Sequence, residues 1–442
     1  MERSSPLHTR WAEGIRGEMS TIICICPTHR DHRELSALKN GHVFLHHDYA
    51  SLGLEDLTAD ERPSEVFIGD PEQEIDAILK RCREERVQGV ITTDDYPGTT
   101  LASVVADELK LPGPTPRANL FCQHKFYSRR IQAAAAPEAA PVFHLIDVCD
   151  STGLPPEMSF PLFVKPVKSF FSVGAQRVSN RYHLAQIKSR WARSAAFFRP
   201  FEILFRKYTG LSLGTNYLLA EGLLQGVQTT LDGYVYNGEV QIAGVVDSIM
   251  FPNTIAFQRF EYPSSLPLSV QERMADIARK VMRALGFDNC QFNIEYIYNP
   301  EAETVHIVEI NPRMSSQFAD LFEKVDGTNS YSVLFDLALG KTPQVKRSQG
   351  NHRAAFSCVL RTFQNQKVLD LPSTEEIQAL QSEFPDMRIE ILATAGQKLS
   401  QQMQDTCSYR YGLLNIGGRD KQEILEKFAY CQSRLTFRFE PV

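Results

Sequence analysis

His306-Ile307-Val308-Glu309-Ile310-Asn311-Pro312-Arg313 reads as an apolar strand that carries Glu309 and Asn311 on one face and stops at Pro312. Residues i and i+2 of a strand share a side, so a carboxylate and an amide oxygen project together from the strand's end. That pairing suits a hard cation, because Mg²⁺ usually takes one or two protein carboxylates and completes its shell with water and phosphate oxygens. Arg313 follows at once, fixed in charge and able to grip an oxyanion with a planar fork. Taken alone, the stretch is equally an edge strand with a solvated carboxylate, and its surroundings have to decide.

Immediately upstream, Gln291–Tyr298 (Q-F-N-I-E-Y-I-Y) is a second strand, joined to the first through Asn299–Glu303. Antiparallel pairing of the two brings Glu295 beside Glu309 and Asn311, so three oxygen ligands converge. Before them, a helix Val270–Leu285 ends at Gly286, a residue suited to a left-handed cap. Thr229–Tyr236 and Glu239–Val246 form a hairpin about Asn237-Gly238. A strand Asn216–Glu221 runs into it through G-L-L-Q-G-V-Q.

Further back, Phe160–Val178 (F-P-L-F-V-K-P-V-K-S-F-F-S-V-G-A-Q-R-V) gives two apolar strands joined by a loop with Lys168, Ser169, Ser172 and Gly174. Lys165 closes the first strand, where Pro166 interrupts the ladder. A lysine facing a Ser/Gly loop with free N–H groups suits polyphosphate, although the P-loop pattern G-x-x-x-x-G-K-[ST] is absent. Lys125 stands on a preceding helix (H-K-F-Y-S-R-R); alone it reads as a solvated lysine. The aromatic stretch Phe197–Phe205 reads as packing rather than as a ring-binding site.

The N-terminal part alternates strands and helices. Short apolar strands are expected at Thr21–Cys26, His42–His46, Glu65–Ile68 and Gly89–Thr92, with a helix Glu72–Arg86 between the last two, which implies a doubly wound α/β unit. No G-x-G-x-x-G follows the first strand, so a dinucleotide reading has no motif. Thr92, Thr93, Asp94 and Asp95 lie at a strand's carboxyl end, where open sheets place a ligand crevice; the plainer reading is a capped turn opening a helix Thr100–Leu109. At the other end, a helix Tyr331–Leu339 and a polar linker Thr342–Gly350 lead to a smaller α+β unit. Its strands are expected near Arg353–Thr362, Arg388–Leu392, Tyr411–Ile416 and Leu435–Phe439, with a helix Lys421–Cys431.

The 442 residues allow two to four domains. With 43% hydrophobic and 23% charged residues, the composition is that of an ordinary globular protein. A net charge of −6 gives no basic footprint for nucleic acid. Nine cysteines without C-x-x-C spacing read as reduced thiols rather than a zinc site or disulfide framework. No apolar run approaches the roughly 18 residues of a membrane span, and a cytoplasmic protein with no membrane partner is expected. Residues 1–20 read as a loose extension.

In order, K-P-x-x-x-x-x-S-x-G at Lys165–Gly174, E-x-x-x-x-G at Glu221–Gly226, Glu295, and E-x-N-x-R at Glu309–Arg313 resemble the ATP-grasp superfamily, and within it the carboxylate–amine ligases that join amino acids and dipeptides. The resemblance implies a Rossmann-like unit at 21–115, an ATP-grasp unit at 116–345 with a lid about 140–212, and an α+β unit at 350–442. It also implies that Lys125 and Lys165 contact nucleotide phosphates, that the loop Lys168–Gly174 with Ser172 closes over ATP, and that Glu221–Leu224 reads the adenine edge. Where the family has a ribose-binding glutamate this chain has Gln228. Glu295, Glu309 and Asn311 match the ligands of two Mg²⁺ ions, with Mn²⁺ as an alternative, and Arg313 matches the arginine that stabilises the transferred phosphate, with backbone N–H groups at Met314–Ser316 beside it. The implied reaction is activation of a small carboxylate as an acyl phosphate and its capture by an amine, with release of ADP and phosphate, in a chain whose relatives are commonly homodimers. Alternatives are a bicarbonate-using enzyme like biotin carboxylase, against which Met314-Ser315-Ser316-Gln317 stands in place of Q-x-E-H, and a non-catalytic ATP-binding regulator, for which Gln228 is the supporting residue.

Overall fold

The computed structural model describes residues 19–38, 41–48, 70–150, 154–169, 172–401 and 408–442. The expected strand Glu65–Ile68 and nearly all of the expected extension lie outside them. Three strands, β1 (Thr21–Ile25), β2 (Val43–His47) and β3 (Gly89–Ile91), form a parallel sheet in the order β2-β1-β3. Parallel neighbours need crossover segments, and helices supply them. Ile75, Ile78, Leu79 and Cys82 of the helix Pro71–Glu84 recur at helical spacing and bury against Ile23, Ile25 and Val90. The carboxyl end of β3 delivers Thr92–Asp95 toward the centre of the molecule.

A second sheet is antiparallel, in the order β4-β7-β5-β6: β4 (Phe143–Asp147), β5 (Leu162–Pro166), β6 (Gln176–Val178) and β7 (Tyr217–Gly222). Strand β4 was not expected from the sequence, because F-H-L-I-D lies behind an alanine- and proline-rich run that hides its alternation. Helices Arg181–Ser194 and Arg199–Thr209 and the short turn Ala195–Phe198 between them cover this sheet with Trp191, Phe198, Phe201 and Phe205, all buried. The aromatic stretch is therefore core.

The largest sheet has eight antiparallel strands in the order β12-β11-β8-β9-β10-β13-β16-β15. It comprises β8 (Val227–Tyr236), β9 (Glu239–Met250), β10 (Phe257–Tyr262), β11 (Cys290–Asn299), β12 (Thr304–Asn311), β13 (Ala354–Thr362), β15 (Arg388–Ile391) and β16 (Tyr409–Gly418). One face carries the helix Leu268–Leu285, whose Met274, Ile277, Ala278, Val281 and Met282 pack on Leu231, Ile294 and Ile307. Gly286 caps that helix at φ 64°. The strands of the C-terminal segment thus continue the sheet that carries Glu295 and Glu309. Among the described residues of that segment, only β14 (Gln366–Asp370) and β17 (Arg438–Pro441) form a separate pair. The last strand begins later than the sequence implied, because Ile424, Cys431 and Leu435 keep a helical period and the helix runs on to Arg434. Among the described residues no helix is long and apolar enough to cross a membrane.

Candidate active site

A cleft of about 2620 Å³ opens between the four-stranded sheet and the eight-stranded sheet. Strand pairing builds its floor. Glu295 of β11 stands directly opposite Glu309 of β12, and Asn293 opposite Asn311. The register slips by one residue beside Glu295, leaving Val308 as a bulge. A bulged residue has no ladder partner, and here the Val308 carbonyl accepts from Lys165 Nζ at 2.9 Å and Arg129 Nη2 at 3.1 Å.

Lys165 comes from β5 of the four-stranded sheet, with its side chain 4% exposed. Burial lowers its pKa, and the Glu221 charge works against that shift. Glu221, on β7, bonds Lys165 at 2.9 Å through one oxygen and Arg129 at 2.7 Å through the other. Burial would raise the Glu221 carboxyl, but the two cations outweigh it and hold the group below the usual carboxylate range. Arg129 also donates to Ile307 O at 2.8 Å. Nothing in S-R-R within an exposed-looking helix marks Arg129 as a buried ion-pair partner, and sequence reasoning missed it.

Lys125 Nζ reaches Glu309 Oε1 at 2.7 Å and Ser169 O at 3.2 Å. Burial and the facing Glu309 raise the Glu295 pKa to about 7, with Arg313 and Lys125 acting in the opposite sense. Gln228 Nε2 donates to the other Glu295 oxygen at 2.9 Å. Arg313 Nη2 lies 3.3 Å from Asp95 Oδ2, and its Nη1 donates to Met314 O at 3.3 Å. Burial would raise the Asp95 carboxyl, and the Arg313 and Lys168 charges overcome it. Asp94 does the capping work instead, accepting from Gly98 N at 2.7 Å, while burial lifts its pKa to about 6. The segment Thr92–Asp95 is therefore both a capped turn and a wall of the cleft.

Ser172, Gly174, Leu224 and Gln228 line the same cleft as Lys125, Lys165, Glu221, Glu295, Glu309, Asn311 and Arg313. Lys168 does not. Its side chain is 1% exposed, with Nζ on Gln123 Oε1 at 2.9 Å, 3.8 Å from Asp95, and over the Tyr96 and Phe201 rings at 4.9 and 5.4 Å. Burial lowers its pKa to about 8. Gly226 is required by close approach, since a Cβ there would meet Tyr298 O at 2.1 Å and its φ is 133°.

A family model for an ATP-grasp domain matches residues 158–321. This segment is an ATP-grasp domain. Its span takes in Lys165, the Glu221–Gln228 turn and the Glu295/Glu309/Asn311/Arg313 group. In whole-chain comparison the fold is similar to L-amino acid ligase from Bacillus licheniformis (TM-score 0.72, 16% identity, covering 96% of this chain and 100% of that one). It is also similar to phosphoribosylglycinamide synthetase from Anaerococcus prevotii (TM-score 0.66, 14% identity, 96% and 100%). A third similar structure is N5-carboxyaminoimidazole ribonucleotide synthetase from Thermotoga maritima (TM-score 0.62, 16% identity, 96% and 100%). At these identities the likeness concerns the fold. By sequence the chain is 22% identical over 263 residues, 58% of its length, to the uncharacterized protein y4rH of Sinorhizobium fredii. The match spans 50% of the length of that relative.

The floor of the ATP-grasp domain fits a divalent cation on chemical grounds. Two carboxylates face each other across one register position, and burial together with the facing charge raises the Glu295 pKa; a dication between them would offset that charge. Among the described residues no group of three His, Cys, Asp or Glu side chains is placed to hold a metal. The protein's share is two carboxylates and one amide, which suits an ion that completes its shell with phosphate oxygens.

Proposed function

We propose that this protein is an ATP- and Mg²⁺-dependent ligase that activates a small carboxylate, such as an amino acid, as an acyl phosphate and joins it to an amine, releasing ADP and phosphate. The observation that carries the reading is the convergence of Glu295, Glu309 and Asn311 with Lys125, Lys165 and Arg313 on one cleft of an ATP-grasp domain. The names of the similar folds include an amino-acid ligase, which agrees with it.

In this reading Leu224 and the backbone of the Glu221–Gln228 turn receive the adenine, and Ser172 and Gly174 bring loop N–H groups to the phosphates. Lys125 and Lys165 offset phosphate charge. Glu295, Glu309 and Asn311 would hold Mg²⁺ or Mn²⁺, which neutralises charge developing on the transferred phosphoryl group. Arg313 positions the acid and stabilises oxyanion charge through its fork. Gln228 braces Glu295 through its Nε2 while lining the cleft at the position the family's ribose-binding glutamate takes. Lys168 acts from behind the wall by holding Asp95 toward Arg313. The division into units at 21–115, 116–345 and 350–442 is part of the same reading.

Purified protein supplied with Mg²⁺-ATP and a panel of acids and amines is expected to release ADP and phosphate, with the amide identified by mass spectrometry. Normal ATP binding without ADP release on any acid–amine pair would remove the ligase assignment. Arg313→Lys keeps the charge but loses the fork. It is expected to lower kcat about 100-fold while ATP affinity changes little, which separates a role in transfer from a role in nucleotide binding.

A further inference from the structure

A buried polar row crosses the sheet beneath the cleft. Asp232 of β8, Asn293 of β11 and Asn311 of β12 are register neighbours, and their exposures are 4%, 3% and 6%. Asn311 Nδ2 donates to Asn293 Oδ1 at 3.1 Å and lies 3.5 Å from Glu295 Oε1. Asn293 Nδ2 in turn donates to Asp232 Oδ1. The Asp232 carboxylate ends the row. A polar row in a dry interior is costly unless every member is satisfied, so its presence calls for a use.

The row has a direction, and its acidic end sets it. Burial raises the Asp232 pKa to about 7, and the hydrogen bond from Asn293 works against that shift; in the ionised form, which Asn293 Nδ2 meets as donor, the carboxylate accepts and does not donate. Asn293 must therefore turn its NH₂ toward Asp232, which leaves its carbonyl oxygen facing β12. Asn311 must then turn its own NH₂ inward to meet that oxygen. An amide has two chemically opposite ends of nearly equal shape, and packing alone does not choose between them. With the NH₂ committed to the sheet, the carbonyl oxygen is the end left for the cleft. The reverse orientation would present two N–H groups to a cation.

We infer that Asp232 and Asn293 are positioning residues that fix Asn311 with its carbonyl oxygen toward the metal-binding floor. This rests on the ligase reading only in assigning Asn311 to a cation. It extends that reading to two residues that do not face the cleft at all.

The test is the affinity for Mn²⁺, followed by the paramagnetic signal of the free ion, with the full-length protein and a non-hydrolysable ATP analogue. Wild-type protein is expected to bind Mn²⁺; failure to do so would sink the metal assignment itself, whatever the row does. Asp232→Asn is expected to weaken Mn²⁺ binding about 10- to 100-fold, the usual cost of losing a partner that orients a ligand. The double exchange Asp232→Asn with Asn293→Asp moves the acceptor-only group one strand over. There the carboxylate at position 293 accepts directly from Asn311 Nδ2, and the amide at position 232 can still donate to it. Affinity should return to within about threefold of wild type. A merely structural role predicts no such recovery. Unchanged affinity in Asp232→Asn, or a loss that the exchange does not restore, overturns the inference. Should Asp232→Asn fail to fold, Asn293→Ala removes the same acceptor from Asn311 and must show the same loss; retained affinity there also overturns it.

Discussion

Replacing Glu309 by Gln is expected to lower ATP turnover about a thousandfold, roughly 4 kcal/mol of transition-state stabilisation. The isosteric amide leaves the strand and its register with Glu295 intact, so the fold should survive. What disappears is a negative charge that faces Glu295 across the floor and holds Lys125 at 2.7 Å. Without it the floor loses one of two carboxylates able to hold a divalent cation, whose charge stabilisation is itself worth several kcal/mol. The measurement is ADP release under saturating Mg²⁺-ATP with the melting temperature as a control. Turnover within tenfold of wild type would take Glu309 out of the reaction.

Glu221→Gln should act on stability first. Its carboxylate is the counter-charge for two buried cations, Arg129 at 2.7 Å and Lys165 at 2.9 Å. Removing one member of such a group typically costs about 3–5 kcal/mol, because the partners stay buried without compensation. Arg129 cannot give up its proton, but Lys165 can. Burial already lowers the Lys165 pKa, and loss of Glu221 lowers it further. The folded variant then binds fewer protons at Lys165 than the unfolded chain between the folded and unfolded pKa values, so its stability rises with pH across that window. Denaturant titrations at pH 7 and pH 9 should show a large deficit at the lower pH and a smaller one at the higher. A deficit below about 1 kcal/mol at pH 7 would mean that the three groups are solvated and not a buried network.

The residues that announce themselves in the sequence do so because local geometry fixes them. Glu309 and Asn311 share a face through strand alternation alone, and Lys165 is marked by the proline that stops its strand. Glu295 opposite Glu309 follows once two adjacent strands are read as antiparallel. Arg129 was illegible, because its partners are 92 and about 178 residues away and its helix carries no signal of burial. The bulge at Val308 was illegible too, since an apolar run looks the same with or without a slip in register. Asn293 and Asp232 sit inside apolar strands where a lone polar residue reads as noise; only their side-by-side placement shows a row. Lys168 misled for a related reason. Lys165 at the strand's end and Lys168 three residues on in the Ser/Gly loop look alike in sequence, yet the chain turns one to the cleft and the other under Tyr96 and Phe201. Strand β10 was missed because F-Q-R-F-E-Y lacks a clean two-residue period, and its neighbours in the sheet, not its own pattern, hold it extended.

The eight-stranded sheet has a bearing on how this chain can be divided. Strands β13, β16 and β15 are stitched onto β10, with Arg259 paired to Cys358 and Glu261 to Phe356. A chain cut near residue 345 would keep every side chain named at the cleft. It would also strip β10 of its partner and lay bare a row of unpaired backbone N–H and C=O groups beside Phe260 and Tyr262, which is how a sheet recruits a stranger. The C-terminal quarter is thus less an accessory than a selvedge, the finished border that keeps the woven part from unravelling into its neighbours.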